Sequence, residues 1–189
     1  VGMGAITELA TAPPGYNSLR PNTKAPLPLT LKLNGYATAQ FGKCHEVPAW
    51  QTSPMGPFDA WPAGGGGFEY FYGFIGGEVS QYDPALYEGL TPVEPPATAE
   101  EGYHLTEDLT DRAIAWVHQQ KALMPEKPFF VYFAPGAAHA PHHVPKEWAD
   151  KYKGRFAQGW DKLREETLAR QKKLGVIAPD AELTKRHAE

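Results

Sequence analysis

Hydrophobic residues fall in a few short stretches, and their spacing predicts alternating helices and strands. Residues 27–34 form a short predicted helix that ends at the Asn34-Gly35 pair, and residues 36–41 follow as a strand. Residues 129–133 (FFVYF) lack polar alternation, which is typical of a strand covered on both faces. The intervening apolar residues have helical spacing from Thr106, the predicted N-cap. Strand, helix and strand in this order predict a parallel sheet and an α/β fold.

The segment 46–102 is rich in proline and glycine, and we expect long ordered loops there. Within it, residues 68–74 (FEYFYGF) form an aromatic cluster. One interpretation is a small core that anchors the loops, and the other is an aromatic wall beside a pocket. The first is favoured because aromatic side chains mainly bury area.

The chain divides into three predicted parts. Residues 1–25 are a connector, residues 26–145 hold the helix-strand-loop-helix-strand core, and residues 146–189 form a helical extension. In the extension, a short helix is expected over 146–153. A second, amphipathic helix over 158–174 ends at Gly175.

Composition narrows the class of protein. A length of 189 residues suits one domain, and a net charge of -4 argues against a nucleic-acid or membrane-surface module. One cysteine excludes an internal disulfide and a multi-cysteine zinc site. Val1 is not a natural start residue, so the compartment stays open between periplasm and cytoplasm, and the oligomeric state is not indicated.

Candidate chemistry lies where the two predicted strands end. Lys43 and His45 follow the first strand, and His139 follows the second. Because parallel strands end at the same edge of a sheet, the three side chains should converge on one crevice. A point charge beside two imidazoles suits a sulfate or phosphate ester. The alternative is a surface lysine with unrelated loop histidines.

Other polar residues have competing interpretations. His142 and His143, with His139, could ligate a metal, but Pro141 breaks the helical spacing, and we favour no metal site. Cys44 could be a nucleophile. We favour a core position for it, because adjacent side chains on extended backbone point to opposite faces. His104 and His118 are expected to be structural.

The residues GYATAQFGKCH at 35–45 resemble the second signature of the sulfatases in the alkaline-phosphatase superfamily. GFEYFYGF at 67–74 and PFFVYFAPGAAHAP at 128–141 strengthen the resemblance, which looks closest to bacterial arylsulfatases. It implies part of an alkaline-phosphatase-like sandwich with a mostly parallel sheet flanked by helices and long loops. It also implies that Lys43 binds a sulfate oxygen, His45 takes a proton from the sulfated intermediate, and His139 donates to the leaving-group oxygen.

The departures from the family pattern matter equally. The Cys/Ser-x-Pro-x-Arg motif that yields formylglycine is absent from the chain, as are the paired aspartates and the Asp-Asn pair with its lysine. We therefore expect an internal fragment of a calcium-dependent sulfatase acting on small sulfate esters, inactive alone, with most calcium ligands elsewhere. Two alternatives stay open: a phosphate or phosphonate monoester hydrolase, and a non-catalytic anion-binding module.

Overall fold

The computed structural model describes residue 9 and residues 16–21 and 23–186, in two compact units, 1–143 and 144–189. The predicted connector over 1–25 lies largely outside the described residues and stays a prediction. The first unit contains α1 (Leu27–Leu33), β1 (Ala37–Cys44), β2 (Tyr70–Ile75), β3 (Leu86–Glu88), β4 (Thr91–Val93), α2 (Leu105–Leu123) and β5 (Phe129–Ala134). The second contains α3 (Lys146–Asp150) and α4 (Gly159–Lys173).

The strands of the described part form one mixed sheet in the order β4-β3-β2-β1-β5. β1 pairs in parallel with β2 and with β5, whereas β3 and β4 extend the sheet in antiparallel fashion. The chain crosses from the β2 side of β1 to β5 through α2, so the predicted α/β architecture is confirmed. The carboxyl ends of β2, β1 and β5 therefore meet at one edge.

The prediction of loops throughout 46–102 is wrong, because β2, β3 and β4 lie within this segment. The aromatic cluster is an inner strand of the main sheet rather than a separate small core or a pocket wall. Phe71, Tyr72 and Phe74 are each at most 1% exposed. A strand buried on both faces has no polar alternation. The sequence pattern therefore did not distinguish this strand from a small aromatic core that anchors the loops.

Two clusters of buried side chains cover the two faces of the sheet. On the α2 face, the buried members are Ala37, Ala39, Phe41, Tyr72, Phe74, Leu86, Tyr103, Leu105, Leu109 and Trp116. On the opposite face, they are Cys44, Val47, Trp61 and Phe71. Since β1 contributes to both clusters, it is packed on both faces up to its last residue, and this positions the residues that follow.

The helix α2 begins one residue before the predicted cap. His104 is the N-cap, and its Nδ1 accepts a hydrogen bond from the backbone N–H of Thr106 at 3.3 Å. Thr106 lies inside the helix instead of capping it. An imidazole nitrogen can replace a hydroxyl as the acceptor, and this also gives His104 the structural role expected of it.

The strand β5 is less covered than predicted. It forms one edge of the sheet, and Phe129, Tyr132 and Phe133 keep exposures of 36%, 49% and 40%. An apolar groove of about 430 Å³ separates β5 from α2. The prediction that this strand is buried on both faces is therefore wrong within the described residues, because α2 packs against only part of one face.

The second unit consists of two helices joined by turns. The predicted helix over 146–153 is shorter in the structure, and the amphipathic helix over 158–174 is confirmed as α4. The apolar stripe of α4 is open, with Trp160 82% exposed. In the part of the chain that the structure describes, no helix combines the length and the apolar character needed to cross a membrane.

Candidate active site

The end of β1 is shaped by a glycine and a side-chain amide. Gly42 has φ +104°, and a Cβ there would lie 2.1 Å from the backbone oxygen of Ala134 on β5. Only glycine allows the two strands to pair this closely. Two residues before Gly42, the Gln40 Nε2 donates to the backbone oxygen of Lys43 at 2.8 Å. Together these contacts fix where the backbone of Lys43 lies.

Lys43 and His45 line one pocket of about 290 Å³ at this edge of the sheet. Both residues are half-buried. The lining is completed by Gln40, Cys44, Glu46, Tyr132, Ala134 and Pro135, so β1 and β5 both contribute. The structure thus brings Lys43 and His45 together beside the carboxyl end of β5.

Cys44 is 6% exposed and packs in the cluster opposite α2, as the alternation predicts. Burial raises the pKa of its thiol to about 12. The thiol is therefore protonated at neutral pH and is a poor nucleophile. This argues against the alternative in which Cys44 attacks the substrate.

A carboxylate also borders the pocket, and its partner is a residue that sequence reasoning missed. Arg20 Nη1 lies 3.4 Å from Glu46 Oε2, while Nη2 of the same guanidinium donates to the Gly65 backbone oxygen at 3.0 Å. The guanidinium offsets the negative charge of Glu46 beside Lys43. No local motif marks Arg20, since its role depends on contacts 26 and 45 residues away.

His139 lies in the loop after β5 and does not line the pocket of Lys43 and His45. Its side chain is 54% exposed. The ring Nδ1 is 2.8 Å from the backbone oxygen of Ala140 and 3.6 Å from Glu78 Oε2. The ring of His139 is thus hydrogen-bonded to the adjacent backbone and lies within ion-pair distance of Glu78, a residue that follows β2.

The loop after β2 connects the surroundings of the two histidines. A Cβ on Gly77 would lie 2.9 Å from Cε1 and 3.1 Å from Nε2 of His45, so this glycine packs directly against the ring. The next residue, Glu78, pairs with His139. Sequence reasoning gave this loop no part in the site because it did not predict β2, whose carboxyl end places the loop beside β1. The Gly76-Gly77 pair directly after an aromatic run was the available signal.

His143, in the same loop as His139, contacts the segment that follows Glu78. His143 Nδ1 accepts a hydrogen bond from the Gln81 backbone N–H at 3.3 Å, and its ring stacks on Tyr82. Over residues 16–21 and 23–186, no three His, Cys, Asp or Glu side chains are grouped as a metal site. The described residues therefore do not fit a calcium site of the kind the resemblance implies.

Known proteins resemble this chain over most of its length. The family model described as Sulfatase matches residues 2–185. The uncharacterized sulfatase PB10D8.02c of Schizosaccharomyces pombe is 33% identical over 170 residues, covering 87% of this chain and 30% of that protein. An arylsulfatase of Klebsiella aerogenes is 28% identical over 125 residues, covering 62% of this chain and 26% of that protein. The chain thus spans about a third or less of these relatives.

The fold has a counterpart among solved structures. The structure of Ps i-CgsB in complex with k-i-k-neocarrahexaose superposes with a TM-score of 0.50 at 23% identity. It covers 64% of this chain and 28% of that one. This likeness concerns the fold alone, which is of the alkaline-phosphatase-like α/β kind. On the match of the family model to nearly all of its residues, the chain belongs to the sulfatase family.

Proposed function

We propose that this chain carries the anion-binding and proton-transfer part of the active site of a sulfuric ester hydrolase. The observation that supports it most is the shared pocket of Lys43 and His45 at the carboxyl end of β1. The loop carrying His139 starts at the adjacent parallel strand, β5. In open α/β sheets this edge is the usual position of a ligand.

Each side chain has a role that fits its chemistry. Lys43 supplies a positive charge to a sulfate oxygen, which stabilises negative charge that develops during ester cleavage. His45, next to it, accepts a proton during release of the sulfate. His139 donates a hydrogen bond or proton to the oxygen of the departing alcohol, so that this group does not leave as an unstabilised anion.

The catalytic nucleophile and the metal are proposed to lie outside these residues. The 189 residues contain no Cys/Ser-x-Pro-x-Arg motif, and Glu46 and Pro48 occupy the required positions after Cys44. Calcium, which the family implies, would likewise take its ligands from beyond the described residues. We therefore expect no turnover of an aryl sulfate by the 189 residues alone. Turnover by this chain would contradict that part of the proposal.

The test uses the full-length gene product that contains these residues. It should hydrolyse 4-nitrophenyl sulfate, and Lys43→Ala should lower kcat/KM on the order of 100-fold, as expected when a charge-stabilising group is lost. Lys32→Ala, an exposed lysine in the last turn of α1, is the matched control and should be unaffected. Preference for 4-nitrophenyl phosphate would favour a phosphate monoester hydrolase instead. Sulfate binding without any turnover would favour an anion-binding module.

A further inference from the structure

The surroundings of His139 determine which of its nitrogens carries the resident proton. Nδ1 lies 2.8 Å from the Ala140 backbone oxygen and 3.6 Å from Glu78 Oε2. A carbonyl oxygen has no proton to donate, and neither does an ionised carboxylate. Nδ1 must therefore be the protonated nitrogen. In the neutral ring, Nε2 then holds the lone pair.

This arrangement leaves Nε2 as the nitrogen that can exchange a proton with substrate. A proton on Nε2 in addition to that on Nδ1 makes the ring an imidazolium. The carboxylate of Glu78 then faces the positive charge at 3.6 Å. Both side chains are more than half exposed, so the pair contributes little to folding stability. Any function of the contact is thus more visible in activity than in stability.

The position of Glu78 is itself determined by the sheet edge. β2 ends at Ile75, and the backbone N–H of Gly76 donates to the Cys44 backbone oxygen at 2.8 Å. Gly77 then packs against the ring of His45. Glu78 follows directly, so one short loop contacts His45 through a backbone position and His139 through a carboxylate.

We propose that Glu78 is a positioning residue, which holds Nδ1 of His139 so that Nε2 faces the oxygen of the departing alcohol. This inference rests on the proposed function of His139. In the step concerned, the oxygen nucleophile proposed to lie outside these residues forms a bond to sulfur. The sulfur–oxygen bond to the alcohol breaks, and its electron pair stays on the alcohol oxygen. The Nε2 proton of the imidazolium moves to the oxygen, which leaves a neutral ring protonated at Nδ1.

The test compares two sulfate esters in the full-length protein. Phenol is a poorer leaving group than 4-nitrophenol and depends more on proton donation. Glu78→Gln should lower kcat/KM for phenyl sulfate about tenfold, a fraction of the roughly 100-fold or more that general acid catalysis by His139 would contribute. The loss for 4-nitrophenyl sulfate should be smaller, and KM should change less than kcat. Glu100→Gln, at an exposed turn position, should leave both unchanged.

A double variant separates positioning from a general structural effect. His139→Ala should show the same dependence on leaving group, and adding Glu78→Gln to it should cost nothing further. Equal losses on both esters, or multiplied losses in the double variant, would overturn the inference. If Glu78→Gln kept wild-type activity while His139→Ala was impaired, the inference about Glu78 would be overturned and the proposed function would stand. A wild-type protein that turns over neither ester would overturn the proposed function and this inference with it.

Discussion

Tyr72 and Asp108 join the sheet to the helix that crosses it: the Tyr72 hydroxyl on β2 donates to Oδ2 of Asp108 on α2 at 2.7 Å. The Tyr103 hydroxyl donates to the same oxygen at 3.0 Å. The Arg112 guanidinium lies 3.7 Å from Oδ1 of the same carboxylate and over the Tyr72 ring, 4.6 Å from its centroid. Since a buried carboxylate is costly without partners, this network sets the position of α2 on β2.

Removing the Tyr72 hydroxyl should therefore destabilise the protein. Tyr72→Phe leaves the Asp108 carboxylate with one donor fewer in a buried site, which costs about 1–3 kcal/mol in the free energy of unfolding. Tyr82→Phe removes a hydroxyl from a half-buried ring and should change this free energy by less than about 0.5 kcal/mol. Urea unfolding at pH 8 measures both. Equal effects would show that the Asp108 contact adds nothing.

The same contact predicts a dependence on alkaline pH. Burial, and then the hydrogen bond to Asp108, raise the pKa of Tyr72 above its ordinary value of 10.0. The folded state thus favours the protonated phenol, so stability is unaffected below about pH 10 and falls above it, where the unfolded chain releases the proton. Between pH 9 and 11, Tyr72→Phe should lose less stability than the wild type. A slope identical to the wild type would contradict this assignment.

The sequence predicted the crossover architecture because its signals are local. Periodic apolar residues marked α2, and a glycine marked the end of α1, where Gly35 indeed has φ +87°. β2 was missed for the opposite reason. Its position between β1 and β3 depends on pairing with residues 31 positions earlier, such as Ala39 with Tyr70, and pairing at that distance leaves no local pattern.

The residues of the candidate site also fall into those that the sequence predicts and those that it does not. His45 directly follows β1, and Lys43 is the penultimate residue of that strand rather than following it as predicted, so the order of residues was enough to place both near one strand end. His139 lies further along, in the loop after β5, and does not line their pocket. Arg20 and Glu78 were not predictable, because each acts on a partner brought close only by the folded sheet. Residues that hold other residues in position are harder to predict from a single sequence than residues at strand ends, because no local pattern marks them.

The junction of β1 and β5 should tolerate no side chain at Gly42. An alanine Cβ would lie 2.1 Å from the Ala134 backbone oxygen, and backbone atoms of a paired strand cannot move aside without breaking hydrogen bonds. We expect Gly42→Ala to cost at least about 3 kcal/mol of stability. Gly35→Ala is the control, since a Cβ there has open space and only the positive φ to oppose it. It should cost about 1–2 kcal/mol.

The thiol of Cys44 should be protected in the folded protein. Burial raises its pKa to about 12, so little thiolate is present at pH 8. Iodoacetamide treatment followed by mass spectrometry of the Cys44 peptide should show slow alkylation in the native protein and fast alkylation in 6 M urea. Rapid native alkylation at neutral pH would reopen the interpretation of Cys44 as a nucleophile.

Gly77 should be required for the position of the His45 ring. Its φ lies outside the range that disfavours side chains, and the nearest atoms to an alanine Cβ would all belong to the His45 ring, with Cε1 at 2.9 Å and Nε2 at 3.1 Å. Displacing a reacting group by about 1 Å can cost on the order of 100-fold in rate. We expect Gly77→Ala to lower kcat/KM for 4-nitrophenyl sulfate by about that factor in the full-length protein. Stability should change by less than about 1 kcal/mol.

A double variant tests whether this loss passes through His45. If the methyl group of Gly77→Ala acts only by displacing the ring, adding it to His45→Ala should cost no further activity, because there is no ring left to displace. Losses that multiply would mean that Gly77 affects catalysis through another contact, such as the path of the loop to Glu78. Gly77→Ala in a Glu78→Gln background then identifies that contact: if the path to Glu78 carries the effect, these two losses should not multiply.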